Sequence, residues 1–161
     1  MAEWVGLYGN TGSGKTTSLR NLDEKKTFLF QTVEKLIPFK NGREKFTKIS
    51  KENPAGNLTI TADYAQIVKQ LTYISNKRPE IDLVILDDSS YLLTEDYFDG
   101  LKSAKKGDAV YSLYNSIASD FWQLLKCIRG LRSDLLIVLI AHTQENELSP
   151  RSFKTVGKLL D

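Results

Sequence analysis

Apolar and polar residues fall in blocks along this chain, and the blocks predict strands and helices in alternation. Trp4-Val5-Gly6-Leu7-Tyr8 is a short apolar run that predicts a buried strand, and Thr17–Leu22 continues as a helix after a glycine-rich interval. Asp23–Lys26 is a polar turn, and Thr27-Phe28-Leu29-Phe30-Gln31 predicts a second strand ending near Glu34. Residues 35–56 are basic and irregular, broken by Pro38, Gly42, Pro54 and Gly56. Asn57-Leu58-Thr59-Ile60 predicts a short third strand. Tyr64, Ile67, Val68, Leu71 and Ile74 recur at helical spacing, which predicts a helix over residues 62–74 with Thr61 or Asp63 as its N-cap. Ile81–Leu86 runs apolar with little alternation, the pattern of a strand buried on both faces, and ends in Asp87-Asp88. Residues 94–108 read as a polar loop with Gly100 and Gly107. Tyr114, Ile117, Phe121, Leu124, Leu125 and Ile128 predict a helix over residues 108–129 that Gly130 ends. Leu135–His142 predicts the last buried strand.

Strands alternating with helices imply an α/β fold, a three-layer arrangement around a mainly parallel sheet. In such sheets ligands bind at the carboxyl ends of the strands. A length of 161 residues suits a single domain spanning 1–161. No apolar run approaches the roughly twenty residues that cross a bilayer. The first strand starts within a few residues of Met1, which leaves no room for a secretory signal. Cys127 is the only cysteine, so no intrachain disulfide forms, as expected of a cytoplasmic protein. One cysteine and one histidine also exclude the usual zinc clusters.

The interval after the first strand carries the strongest chemistry. Gly9-Asn10-Thr11-Gly12-Ser13-Gly14-Lys15-Thr16 reads G-x-x-x-x-G-K-T, the phosphate-binding P-loop, between a predicted strand and a predicted helix. Glycines let backbone N–H groups close around phosphate oxygens. Lys15 sets a point charge on the β- and γ-phosphates of ATP, the Thr16 hydroxyl ligates Mg²⁺, and Thr17 opens the helix whose positive end faces the anion. Asp87, after four apolar residues, fits the Walker B pattern, a carboxylate held at a strand end to reach Mg²⁺.

Hydrolysis needs a further carboxylate to orient the attacking water. Glu34 and Asp88 compete for that role. His142, followed by Thr143 and Gln144, ends the last strand where a polar side chain can sense the γ-phosphate. The net charge of +2 is too small to announce nucleic acid. Basic residues nonetheless cluster at residues 35–51, at Lys102, Lys105 and Lys106, and at Arg151, Lys154 and Lys158.

The order of these parts, with Phe28–Glu34, Asn57–Ile60, Leu83–Asp87, Leu139–His142 and the ending Ser152–Asp161, resembles the RecA-type ATPase core. It is most similar to phage-encoded, AAA-type ATP-binding proteins that act in single-strand annealing or recombination. That resemblance implies a catalytic role for Glu34. It implies a nucleotide-to-DNA coupling role for His142, where RecA-type proteins usually carry glutamine. It also implies DNA-facing loops at about Glu95–Gly107 and Thr143–Phe153, and basic fingers at Lys154 and Lys158 that reach a neighbouring subunit's ATP. Implied partners are single-stranded DNA, further copies of the chain in a homo-oligomer, and a single-strand-binding protein; no membrane is implied, and the location is the host cytoplasm. Such proteins usually continue with more strands beyond a point like Asp161, so a truncated domain is an expectation of the resemblance. Two alternatives stand beside it, a nucleotide-dependent assembly or packaging factor and a small-molecule kinase, although no arginine-rich lid is visible. Asn76-Lys77-Arg78-Pro79 lacks the aspartate of a guanine-specificity motif, which argues against a GTPase.

Overall fold

The computed structural model describes residues 1–103, 108–146 and 149–153, and side chains of residues 1–101 and 112–143. Six strands, β1 (Glu3–Gly9), β2 (Thr27–Gln31), β3 (Leu58–Ile60), β4 (Leu83–Asp87), β5 (Leu136–Asn146) and β6 (Ser149–Phe153), form its sheet. The helices are α1 (Gly42–Lys45), α2 (Tyr64–Lys77), α3 (Ser89–Ser103) and α4 (Asp108–Gly130). The strand order is β1-β5-β4-β2-β3, and all four pairings along it are parallel. This is the expected α/β architecture, with a five-stranded parallel sheet. The carboxyl ends of the five strands share one edge, which brings the P-loop, Gln31, Asp87 and His142 together.

Pleating divides the strand residues between two cores. Phe28, Phe30, Val84, Leu86, Ile137 and Leu139 pack against α2 and α4 on one face. Leu29, Ile85 and Ile140 point to the other, where Leu19 and Phe46 meet them. That second face is covered by short pieces, so the third layer is thinner than expected. α2 starts at the expected cap: the Asp63 carboxylate accepts hydrogen bonds from the N–H groups of Ala65 and Gln66 at 2.8 and 3.2 Å.

Four expectations are corrected. β1 is not buried: among the described residues it pairs with β5 alone, and Trp4, Val5, Leu7 and Tyr8 are between 39% and 56% exposed. An apolar run reports hydrophobic side chains, not how many neighbours the strand has. The P-loop is followed by a five-residue 3-10 turn, Thr17–Asn21, and not by a helix from whose dipole a phosphate site would draw. Most of the expected loop at 94–108 is α3. Gly100 there is no breaker, because a Cβ on it would lie 2.1 Å from Leu113 Cδ1 of α4; it lets two helices approach. Finally, the last strand does not stop at His142. It continues to Asn146 and folds back through antiparallel β6, so the expected loop at Thr143–Phe153 is largely a hairpin.

Candidate functional site

The P-loop bends where its glycines allow. Gly12 and Gly14 have φ of 78° and 87°, a region that side chains rarely enter. Behind them, Lys15 folds back onto its own loop, donating from Nζ to the carbonyls of Gly9 and Asn10 at 2.7 and 2.9 Å. Burial lowers the Lys15 pKa, while the Asp88 and Asp87 charges oppose that shift.

Register sets the other residues around this loop. β1 and β5 pair Gly9 with His142, and β2 and β4 pair Gln31 with Asp87. Thr16 donates from Oγ1 toward both carboxylate oxygens of Asp87, each 3.2 Å away. Asp87 is 1% exposed. Burial raises its pKa above the usual carboxylate value, against the pull of Lys35 and Thr16 and with a smaller push from Asp88. The Lys35 ammonium lies 3.0 Å from Asp87 Oδ2 and 3.8 Å from Asp88 Oδ2.

Asp88 has a left-handed backbone, φ 71°, which aspartate tolerates better than most residues. Thr32 fixes that turn by donating from Oγ1 to the Asp88 carbonyl at 3.0 Å. The Asp88 carboxylate meets His142 Nε2 at 3.0 Å, while its buried Oδ1 has no hydrogen-bond partner. With Nε2–H donating to Asp88, His142 Nδ1 accepts from the Thr11 hydroxyl at 3.4 Å. Ser90 receives the His142 N–H at 3.0 Å, and Ser89 donates to the Ile140 carbonyl at 3.0 Å. Thr143 donates to Asn10 Oδ1 at 2.5 Å. The end of β5 is thus tied to both the P-loop and the start of α3.

These groups line a cavity of about 370 Å³ that includes Lys15, Thr16, Lys35, Asp87, Asp88 and His142. Gly12, Ser13, Gly14 and Thr17 complete its phosphate-loop wall. The expected residues Lys15, Thr16, Asp87, Asp88 and His142 are therefore in one place. Glu34 is not among them. It lies three residues beyond β2, pairs with Lys48 at 2.8 Å and lines a neighbouring cavity of about 600 Å³. The Lys48 hydrogen bond lowers its pKa. Lys105, Lys106, Lys154 and Lys158 lie outside the described residues, as do the side chains of Lys102 and Arg151.

Three contributors escaped the sequence reading. Lys35 was counted with a basic surface stretch, and Ser89 and Ser90 carry no motif. The available signal for Lys35 was its adjacency to Glu34 at a strand end.

The donor set fits a divalent cation. Thr16 brings a hydroxyl to a buried carboxylate, and a lysine ammonium already stands where positive charge is needed. Among the described residues no group of three His, Cys, Asp or Glu is arranged to hold a metal ion by itself. The fit is therefore to a metal that keeps waters and takes phosphate oxygens, as Mg²⁺ does.

The model of an AAA domain family matches residues 3–156. The chain belongs to that AAA domain family. This AAA domain is accordingly a nucleotide-binding protein of P-loop ATPase type, and its cavity is where a P-loop site should be. A comparison with curated proteins returned no match. Among the described residues no helix is long and apolar enough to cross a membrane.

Proposed function

We propose that this AAA domain hydrolyses ATP with Mg²⁺ and uses the nucleotide state to set the β5–β6 hairpin against single-stranded DNA in phage DNA metabolism. The observation that carries the hydrolytic part is the convergence of Lys15, Thr16, Asp87, Asp88 and His142 on one cavity at the strand ends. Lys15 leaves the loop carbonyls for the β- and γ-phosphates. Thr16 and Asp87 hold the metal, which when bound neutralises phosphate charge. Asp88 orients the attacking water through its free Oδ1, and His142 holds the other oxygen. Glu34, which the RecA-type resemblance favours, faces away in this arrangement and is the second candidate for that role.

The DNA part is supported by connectivity. His142 and Thr143 touch the P-loop and run straight into the hairpin. A phosphate that disturbs either contact would be felt there. Steady-state ATP hydrolysis with and without single-stranded DNA, against Lys15→Ala as the blank, tests the proposal. Hydrolysis that DNA stimulates supports it. A rate indifferent to DNA removes the coupling, and nucleotide binding with no turnover favours an assembly factor. The exposed apolar edge at Trp4, Val5, Leu7 and Tyr8 gives that second reading its footing, since such edges pair with other chains.

A further inference from the structure

Lys35 has no task in the nucleotide reading above, yet it makes the closest ion pair in the cavity. Its ammonium lies 3.0 Å from Asp87, the carboxylate meant for Mg²⁺, and 3.8 Å from Asp88. A carboxylate as buried as Asp87 needs a compensating cation. In the nucleotide-free chain Lys35 is that cation, with Thr16 adding a hydroxyl. A metal bound to Asp87 would ask for the same oxygens, and two cations a few ångströms apart repel strongly. Lysine is suited to withdraw, being a compact charge on a flexible four-carbon stem. The Lys35 side chain is 34% exposed against 1% for Asp87, so it has a way out to solvent. Its loop is lightly held, with the Lys35 carbonyl accepting from Gln31 Nε2 at 3.4 Å.

We propose that Lys35, seated against Asp87 and Asp88, is a tethered cation that stands in for the divalent metal held by Asp87 and Thr16 and must be displaced when that metal enters. The inference rests on the nucleotide-site reading and adds to it a positioning residue. Lys35 keeps the two carboxylates in place before loading, and it lowers the affinity of the empty site for metal. A nucleotide bringing its own phosphate oxygens then favours exchange of one cation for the other.

Mn²⁺ is a paramagnetic probe of Mg²⁺ sites. It should be titrated into the full chain by electron paramagnetic resonance, with and without ADP, using wild type, Lys35→Met, Lys35→Arg and Asp87→Asn. Without its competitor, Lys35→Met should bind Mn²⁺ about tenfold more tightly than wild type, the scale expected for a partly buried ion pair. Lys35→Arg, which keeps the charge, should bind as weakly as wild type, and Asp87→Asn should lose the site. Should Lys35→Met fail to fold by its melting curve, Lys35→Gln gives the same comparison. Equal or weaker Mn²⁺ binding in the neutral variant overturns the inference. Binding of a fluorescent ADP analogue in EDTA separates the two readings. Wild type no better than Lys15→Ala overturns the nucleotide site itself, whereas intact ADP binding with unshifted Mn²⁺ affinity overturns only the role of Lys35.

Discussion

The carboxylate of Asp88 and the imidazole of His142 meet at 3.0 Å, one just past the end of β4 and the other in β5. The contact holds one oxygen of Asp88 and leaves the other, Oδ1, buried and, among the described residues, without a hydrogen-bond partner. A buried acceptor without a donor costs free energy unless a ligand or water supplies one. An attacking water is such a donor. Asp88→Asn keeps the size and the tolerance of a left-handed backbone while removing the charge. It should lower ATP turnover about a hundredfold with nucleotide affinity nearly unchanged, the scale of a lost general base. His142→Ala acts through Asp88 and should cost less, about tenfold. Glu34→Gln should turn over near the wild-type rate. Single-turnover assays beside equilibrium binding check all three, and a dead Glu34→Gln with an active Asp88→Asn would exchange the roles.

Lys15 donates to two P-loop carbonyls and, among the described residues, to no carboxylate. Its charge is therefore available to phosphates once those bonds are exchanged. Removing it leaves the phosphates without their closest fixed cation. Lys15→Ala should weaken ATP binding about a hundredfold or more, within the range for losing one partner of a desolvated charge pair. Isothermal titration with ATP and Mg²⁺ measures it, and affinity close to wild type would deny the phosphate site.

Much of this site is written locally. The P-loop and the strand ending in Asp87 each occupy a few consecutive residues, and parallel pairing alone carries their ends to one edge. What depends on the number of neighbours is not local. The run Trp4–Tyr8 looks like the run Leu83–Leu86, yet among the described residues β1 has one strand partner and β4 has two. The phase of a loop is equally silent. Glu34 and Lys35 are adjacent and both line the larger cavity, yet Glu34 reaches Lys48 whereas Lys35 also lines the P-loop cavity and reaches Asp87. Sequence chose the carboxylate as the chemist's candidate and passed over the lysine beside it. Gly100 misled in a third way, since a glycine that serves close packing between helices and one that marks a loop look the same.

Asp96 offers a test through pH. Burial raises its pKa, and the neighbouring carboxylates of Asp120 and Asp99 add to the shift. Its Oδ2 and the hydroxyl of Tyr64 are both buried and, among the described residues, without a hydrogen-bond partner. A raised folded-state pKa means that the native state holds the proton more tightly than the unfolded chain. The stability this gives is complete below the unfolded value of 3.8 and is lost as pH rises through the folded one. Ionised Asp96 is therefore a burden at neutral pH. Asp96→Asn should raise the melting temperature there, and the gain should shrink as pH falls toward the ordinary carboxylate range. Thermal denaturation of both chains between about pH 5 and about pH 8 checks the sign and the trend. An asparagine variant less stable than wild type at neutral pH would contradict the account.

Gly100 lies within α3, where a Cβ would stand 2.1 Å from Leu113 Cδ1 and 3.1 Å from its Cγ. Two effects oppose each other in Gly100→Ala. Alanine gains about 1 kcal/mol of helix propensity over glycine. Overpacking against Leu113 costs about 1–3 kcal/mol. Leu113 is only half-buried, so part of the clash is relieved by its movement. A net loss of about 1 kcal/mol should remain, because Cγ as well as the methyl must shift. The sign should reverse in a Leu113→Ala background. The clashing atoms are then gone, only the propensity remains, and the same substitution should stabilise by about 1 kcal/mol. Chemical denaturation of the four chains closes the double-mutant cycle. A coupling near zero would show that the α3–α4 contact at Gly100 is not what that glycine is for.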